Sequence, residues 1–275
     1  MARAELSLIS AVVLGLSFGL TAKSQAITVL LQQGSLPTSS YAGTTDAFVT
    51  SGSPTDNYGA AGAIAISADP SVNPANTQGQ FLSFLQFNTS AAKAAFDAQY
   101  GVGNWTVTSV QLVLTAQQPN NSIFNGNSTL TNTAGNIDVR WLANNSWVEG
   151  AGTPSIPTTT GLTYNNYSSY TGTSDEALGT FNFNGGTSGT TTATLGLTPN
   201  FSADLLSGGV STFELLPSAG SDVSALFFSR NYTGSGYPGD RPELSITAVA
   251  ATPEPNRAAL LLLAGLWGLG RRRRA

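Results

Sequence analysis

The sequence predicts an all-β protein, a β-sandwich of jelly-roll type with about ten strands. Three observations carry this. The 275 residues include 30 glycines and 13 prolines, a frequency that suits many turns and short strands better than long helices. Short runs rich in Val, Ile, Phe, Leu and Thr recur with turn signals between them. Neither an internal repeat nor a run of like charge breaks the middle of the chain.

The predicted strands are Ala47 to Thr50, Ile64 to Ser67, Phe81 to Phe87, Thr106 to Thr115, Ile137 to Leu142, Thr180 to Phe183, Thr191 to Leu197, Thr212 to Leu216, Ala225 to Ser229 and Leu244 to Ala248. Val107, Val110, Leu112 and Leu114 alternate with polar residues over part of their run, as in a strand with one wet face. Phe81 to Phe87 is apolar almost throughout and is placed centrally. One helix is expected, the Ala-rich segment Ser90 to Asp97, with Ser90 as its cap and Gly101 as its stop. Long polar loops follow at Asn120 to Gly135 and Gly150 to Thr173.

Composition narrows the chemistry. With no Cys and no His, the chain lacks thiol nucleophiles, imidazole bases, histidine metal ligands and any Ser-His-Asp triad. Between Ile27 and Thr252 four cations (Lys93, Arg140, Arg230, Arg241) face thirteen acids, a net of −9 that the whole-chain value of −4 conceals. So acidic a domain, without a basic stripe, is not expected to bind nucleic acid. An enzyme would need a carboxylate pair drawn from Asp138, Glu149, Asp175, Glu176, Asp222, Asp240 and Glu243, and nothing in their spacing pairs them. No cofactor is expected. If a metal is bound it should be a structural calcium, since only oxygen ligands are available, with Asp46, Asp56, Asn57 and the Asp69 loop as candidates. Arg230 and Arg241 are expected to pair with Asp222, Asp240 or Glu243 at the C-terminal hairpin; ligand binding is the alternative.

Both ends depart from this pattern. Arg3, an apolar run from Leu6 to Leu20, and Thr21 to Ala26 form the three regions of a secretory signal peptide over residues 1–26. Small Ser24 and Ala26 occupy the −3 and −1 places, so the mature chain would start at Ile27 and the β-domain would cover 27–250. A buried first helix is the alternative. Residues 251–275 contain Pro253-Glu254-Pro255, an uncharged apolar helix over 258–270, and Arg271, Arg272, Arg273 and Arg274. At ~1.5 Å per residue that helix spans about 20 Å, short of the ~30 Å hydrocarbon core, so snorkelling of Arg257 and the arginines would have to complete the span. The four arginines would act as a stop-transfer cluster held on the cytoplasmic side.

Pro-Glu-Pro, a short apolar helix and an arginine cluster in this order resemble the PEP-CTERM sorting signal that exosortases recognise in Gram-negative bacteria making extracellular polysaccharide. The resemblance implies that Pro253, Glu254 and Pro255 are the recognition element. It also implies that the helix anchors the chain in the inner membrane only transiently, and that an exosortase-type enzyme then frees or re-attaches it at the cell surface or outside. An ordinary tail anchor is the alternative, and Arg257 departs slightly from the pattern. Between residues 40 and 248 a second resemblance runs through Asn57-Tyr58-Gly59, Phe81-Leu82-Ser83-Phe84, Val107 to Leu114, Val139-Arg140-Trp141, Trp147-Val148-Glu149-Gly150, Phe228-Ser229-Arg230 and Arg241-Pro242-Glu243-Leu244. In that order they look like DNRLRE-type extracellular β-sandwich modules, which implies a surface role without catalysis and reads Trp147 to Gly150 as a structural corner. The acidic-arginine motif that names those modules is not intact here.

Tyr164, Tyr167 and Tyr170 fall three apart in a polar loop. They read as a platform on which a pyranose could stack, or as rings folded back over an exposed sheet. Together these readings describe a non-catalytic exported protein of the surface or matrix, associated with extracellular polysaccharide. A carbohydrate-binding module is the alternative, and a polysaccharide-cleaving enzyme ranks below both. N-terminal sequencing of the secreted protein should read Ile27-Thr28-Val29; a mature chain that keeps Leu6 to Leu20 would mean an anchor in place of a signal.

Overall fold

The computed structural model describes residues 25–118, 130–233 and 238–251. Ten strands fall where the sequence placed them, and an eleventh, β1 (Ile27–Gln32), precedes them. The others are β2 (Thr44–Thr50), β3 (Ala63–Ser67), β4 (Phe81–Asn88), β5 (Trp105–Thr115), β6 (Gly135–Leu142), β7 (Glu176–Phe183), β8 (Thr190–Leu195), β9 (Val210–Pro217), β10 (Ser224–Phe228) and β11 (Glu243–Ala250). They form two antiparallel sheets. The smaller has the order β1-β11-β5-β8; the larger runs β10-β3-β4-β9-β6-β7, with β2 on β4. The expected signal helix, the sorting tail and most of the Asn120 to Gly135 loop lie outside the described residues. Among the described residues no helix is long and apolar enough to cross a membrane.

The pairing is nested. β1 pairs with β11, β3 with β10, β4 with β9, β5 with β8 and β6 with β7, so the chain runs out and back like one long hairpin. The β11–β5 and β9–β6 ladders then join these pairs side by side. Pairing the first strand with the last closes the domain and satisfies backbone groups on two long edges.

Local sequence explains the strand faces. On β5, Trp105, Val107, Val110, Leu112 and Leu114 point into the core, and the three-residue step from Val107 to Val110 is where the ladder with β11 shifts. One extra residue there, Thr108, is accommodated by a bulge, which is why the alternation is only partial. β4 is buried from Phe81 to Phe87 because both of its faces are covered. Between the sheets Phe213 is the hub, 6.2 Å from Phe87 and 5.6 Å from Phe201 by ring centroid, both edge-on.

Two helices lie at the side of the sandwich, and the sequence foretold only one. α1 (Ser90–Tyr100) runs to Tyr100 and ends at Gly101, whose φ of +89° suits glycine. Ser90 does not cap it; its N–H donates to Asn88 Oδ1 at 3.0 Å. α2 (Pro199–Ser207) opens with Pro199, stops at left-handed Gly208, and buries Phe201 and Leu205 one turn apart. Its first turn is held from outside: the backbone N–H groups of Asn200 and Phe201 donate to the Glu176 carboxylate on β7 at 3.2 and 2.9 Å. Nine residues with two apolar anchors give little periodicity, so this helix was missed.

Phe213→Ala should cost about 3–5 kcal/mol, because it opens a cavity where both sheets and α2 meet. Val102→Ala, at a position 80% exposed, should leave the melting temperature unchanged. Parallel thermal melts of the two variants check both statements.

Candidate functional site

Asn57 sits in the loop after β2 and is fully buried. Its amide nitrogen donates to the carbonyls of Glu149 at 2.7 Å and Leu162 at 2.8 Å. Its Oδ1 accepts from the N–H groups of Gly59 and Gly152, both at 3.1 Å. All four hydrogen-bonding places of the amide are thus filled. The contacts are so close that a Cβ on Gly59 would lie 1.9 Å from the Glu149 carbonyl oxygen, and one on Gly152 1.8 Å from the backbone carbonyl oxygen of Asn57.

Beside this node the Glu149 carboxylate receives Arg230. Nε donates to Oε1 at 2.7 Å and Nη2 contacts Oε2, a two-pronged pair. Asn231 Nδ2 adds bonds to Glu149 Oε1 at 2.8 Å and to the Gly59 carbonyl at 2.7 Å. Asp46, on β2, is 1% exposed, and its Oδ2 accepts the Arg230 backbone N–H at 2.7 Å. Burial pushes the Asp46 carboxyl up to about 7; the Arg230 N–H pulls it down and the Glu149 charge pushes it further up.

Arg230 therefore does not pair with Asp222, Asp240 or Glu243 as expected; its carboxylate comes from a loop 81 residues away in sequence. Arg241 also differs from expectation. It donates to the backbone carbonyls of Gln33 at 3.0 Å and Tyr232 at 3.1 Å, and no ion pair involves it among the described residues.

The three tyrosines lie over the outer face of the larger sheet. Tyr164, Tyr167 and Tyr170 are partly buried against Ala47, Val49, Leu82, Phe84, Leu142, Trp147 and Leu162. Tyr167 is 6.1 Å from the Phe84 ring and 5.1 Å from Tyr164, with the two tyrosine planes inclined by 52°. Burial raises the Tyr167 hydroxyl pKa. Tyr164 donates to Gln80 Oε1 at 3.3 Å. Tyr170 alone borders a recess of about 740 Å³, formed by residues 143–146 and 169–175. There Thr173, Ser174 and the Tyr170 hydroxyl make no hydrogen bond to described residues, while Asp175 is occupied by the N–H groups of Ala143 and Gly172 at 3.1 and 2.7 Å.

No protein-family model and no curated protein matches this chain.

The acids proposed for a catalytic pair are mostly engaged by the fold. Asp138 accepts Thr180 and Ser218 hydroxyls, both at 2.5 Å; Glu176 holds α2; Glu149 holds Arg230. Arg140 lies 3.0 Å from Glu214 and 4.0 Å from Asp175. Glu214 was not singled out from sequence, though an acid inside Phe213-Glu214-Leu215 signals a charge with a partner on the next strand. Burial raises its pKa against the opposing effect of Arg140. Each calcium candidate has protein contacts of its own: Asp46 with Arg230, Asp56 with the Tyr58 hydroxyl at 3.3 Å, Asn57 as above, and Asp69 with the Ser71 N–H at 2.9 Å. Among the described residues no group of three or more carboxylates could hold a metal ion. Ala26 is exposed just before β1; Ser24, Pro253, Glu254, Pro255 and Arg271 to Arg274 lie outside the described residues.

The folded Asp46 keeps its proton to about pH 7, whereas an unfolded aspartate releases it near ~3.9. The folded state thus binds more protons in that interval, and the contribution of Asp46 to stability falls as pH rises through it. Asp46→Asn removes the titration. Melting curves should show the variant gaining on the parent between about pH 4 and pH 7 and levelling off above it; a constant gap would mean that Asp46 is ionised throughout.

Proposed function

We propose that this is a non-catalytic exported protein, sorted through its C-terminal tail and associated with extracellular polysaccharide at the cell surface. The observation that carries the reading is a contrast within the domain. Asp138, Glu149, Asp175, Glu176 and Glu214 are consumed by hydroxyls, backbone N–H groups and arginines, while the recess beside Tyr170 keeps uncommitted hydroxyls next to an aromatic ring. Such a surface suits contact with a hydroxyl-rich polymer, and among the described residues that line it Asp175 is the single acid, where glycoside cleavage needs a carboxylate pair. The nested strand order supports reading the sandwich as a jelly roll, with β1, β11, β5, β8 and β4, β9, β6, β7 as its two four-stranded halves.

The N-terminal signal pattern and the resemblance of the tail to PEP-CTERM signals support export, a transient hold in the inner membrane, and processing by an exosortase-type enzyme. The second reading is a dedicated carbohydrate-binding module, favoured by the position of Tyr170 at the recess. In that reading Tyr164 and Tyr167 shape the loop and Tyr170 meets the sugar.

The sorting step has a direct test. In wild-type cells the surface protein should lack the residues after the Pro-Glu-Pro element, and Glu254→Ala should leave a full-length precursor in the membrane fraction. Mass spectrometry of the C-terminal peptide reads both outcomes, and an intact Ala275 on wild-type surface protein would overturn the sorting role.

A further inference from the structure

A second recess, of about 400 Å³, opens where β5 ends, β8 begins and β10 ends. Gln117, Phe228, Tyr232, Asp240, Thr187 and Ser188 line it. Gln117 is 2% exposed, and neither its Nε2 nor its Oε1 has a hydrogen-bond partner. Its backbone is fixed on both sides: the N–H donates to the Leu226 carbonyl at 2.8 Å, and the carbonyl accepts Asn132 Nδ2 at 2.8 Å. Asn132 in turn is held to Gly186 and Leu226. Folding therefore sequesters a primary amide at this recess with both of its polar atoms unsatisfied. That arrangement is unfavourable unless something supplies the missing partners.

We infer that this recess binds one residue of a neutral saccharide, for which the buried Gln117 side chain rotates into the recess and its amide bridges two adjacent ring hydroxyls. A primary amide sets one donor group beside one acceptor, and vicinal hydroxyls match it by accepting from Nε2 and donating to Oε1. Phe228 and Tyr232, 4.6 Å apart and inclined by 51°, give an apolar wall for the C–H face of the ring. Asp240 offers an acceptor to a further hydroxyl. Among the described residues no lysine or arginine lines the recess, which disfavours phosphate, sulfate and uronate groups. The site is separate from the Tyr170 recess and does not rest on the sorting or matrix role.

The test titrates the full chain, in a zwitterionic detergent without a sugar headgroup, with methyl glycosides of glucose, galactose, mannose and N-acetylglucosamine. Thermal shift and calorimetry are the readouts. At least one glycoside should bind with a Kd of about 1 mM or tighter and raise the melting temperature. Gln117→Leu keeps the volume and removes the amide. It should melt at the same or a higher temperature than the parent without saccharide, yet bind at least about tenfold more weakly. Should that variant fail to fold, Gln117→Met replaces it. Tyr232→Ala should weaken binding similarly, whereas Tyr170→Ala should leave it unchanged. Three results would overturn the inference: no glycoside binding up to ~10 mM, binding that survives Gln117→Leu but is lost in Tyr170→Ala, or binding of N-acetylglycine methylamide in place of the glycosides. The second of these would still leave the Tyr170 surface as a polysaccharide contact.

Discussion

The pairing of Arg230 with Glu149 is the contact on which the loop end of the sandwich depends. It joins the end of β10 to the segment after β6, through Asp46 to β2, and through Asn57 to the β2–β3 connection. The two side chains are 25% and 13% exposed, so their pairing belongs between a surface ion pair, worth ~1 kcal/mol or less, and a fully buried one, whose disruption costs about 3–5 kcal/mol. Its effect is larger than that energy alone suggests. Glu149 also brings its own carbonyl to Asn57, and from there the long 150–173 segment is laid over the larger sheet, where its tyrosines shield Phe84 and Trp147. Two acids and one arginine meet here, and burial above all, with the Glu149 charge, keeps the proton on Asp46 to about pH 7 against the pull of Arg230.

Much of the fold was legible because strands announce themselves locally. Alternation on β5 and the unbroken apolar run of β4 foretold which faces are covered, and the exception at Val107 to Val110 has a definite cause in the bulge against β11. β1 was not among the predicted strands, and its role as the partner of the last strand was hidden as well, since pairing across more than two hundred residues leaves no local mark. α2 was hidden for another reason. Thr198 and Pro199 mark its start, but nine residues with two apolar anchors show little periodicity, and its first N–H groups and the Thr198 hydroxyl are all satisfied by Glu176 from a different strand.

The polar network was legible in pieces only. Asn57-Tyr58-Gly59, Trp147 to Gly150 and Phe228 to Arg230 stood out as separate segments, and the fold brings them into one set of contacts. Asn57 was weighed as a calcium ligand because Asn beside Asp in a loop suits that role; its amide instead serves four backbone groups, an arrangement that the close approach of two glycine-bearing loops makes available. The arginines were matched to acids nearby in sequence, and strand order overruled that proximity. Gln117 carried no signal at all, because an amide's satisfaction depends on every chain segment around it.

In the function we propose, an acidic sandwich with most of its clustered carboxylates spent on arginines, hydroxyls and helix ends touches polymer and does not cut it. The decisive measurement follows reducing ends and protein retention together while the purified protein is incubated with the extracellular polysaccharide of the cells that make it. Retention of the protein on the polymer with no reducing ends released above background is the predicted result. Release of reducing ends that scales with protein concentration would contradict the account.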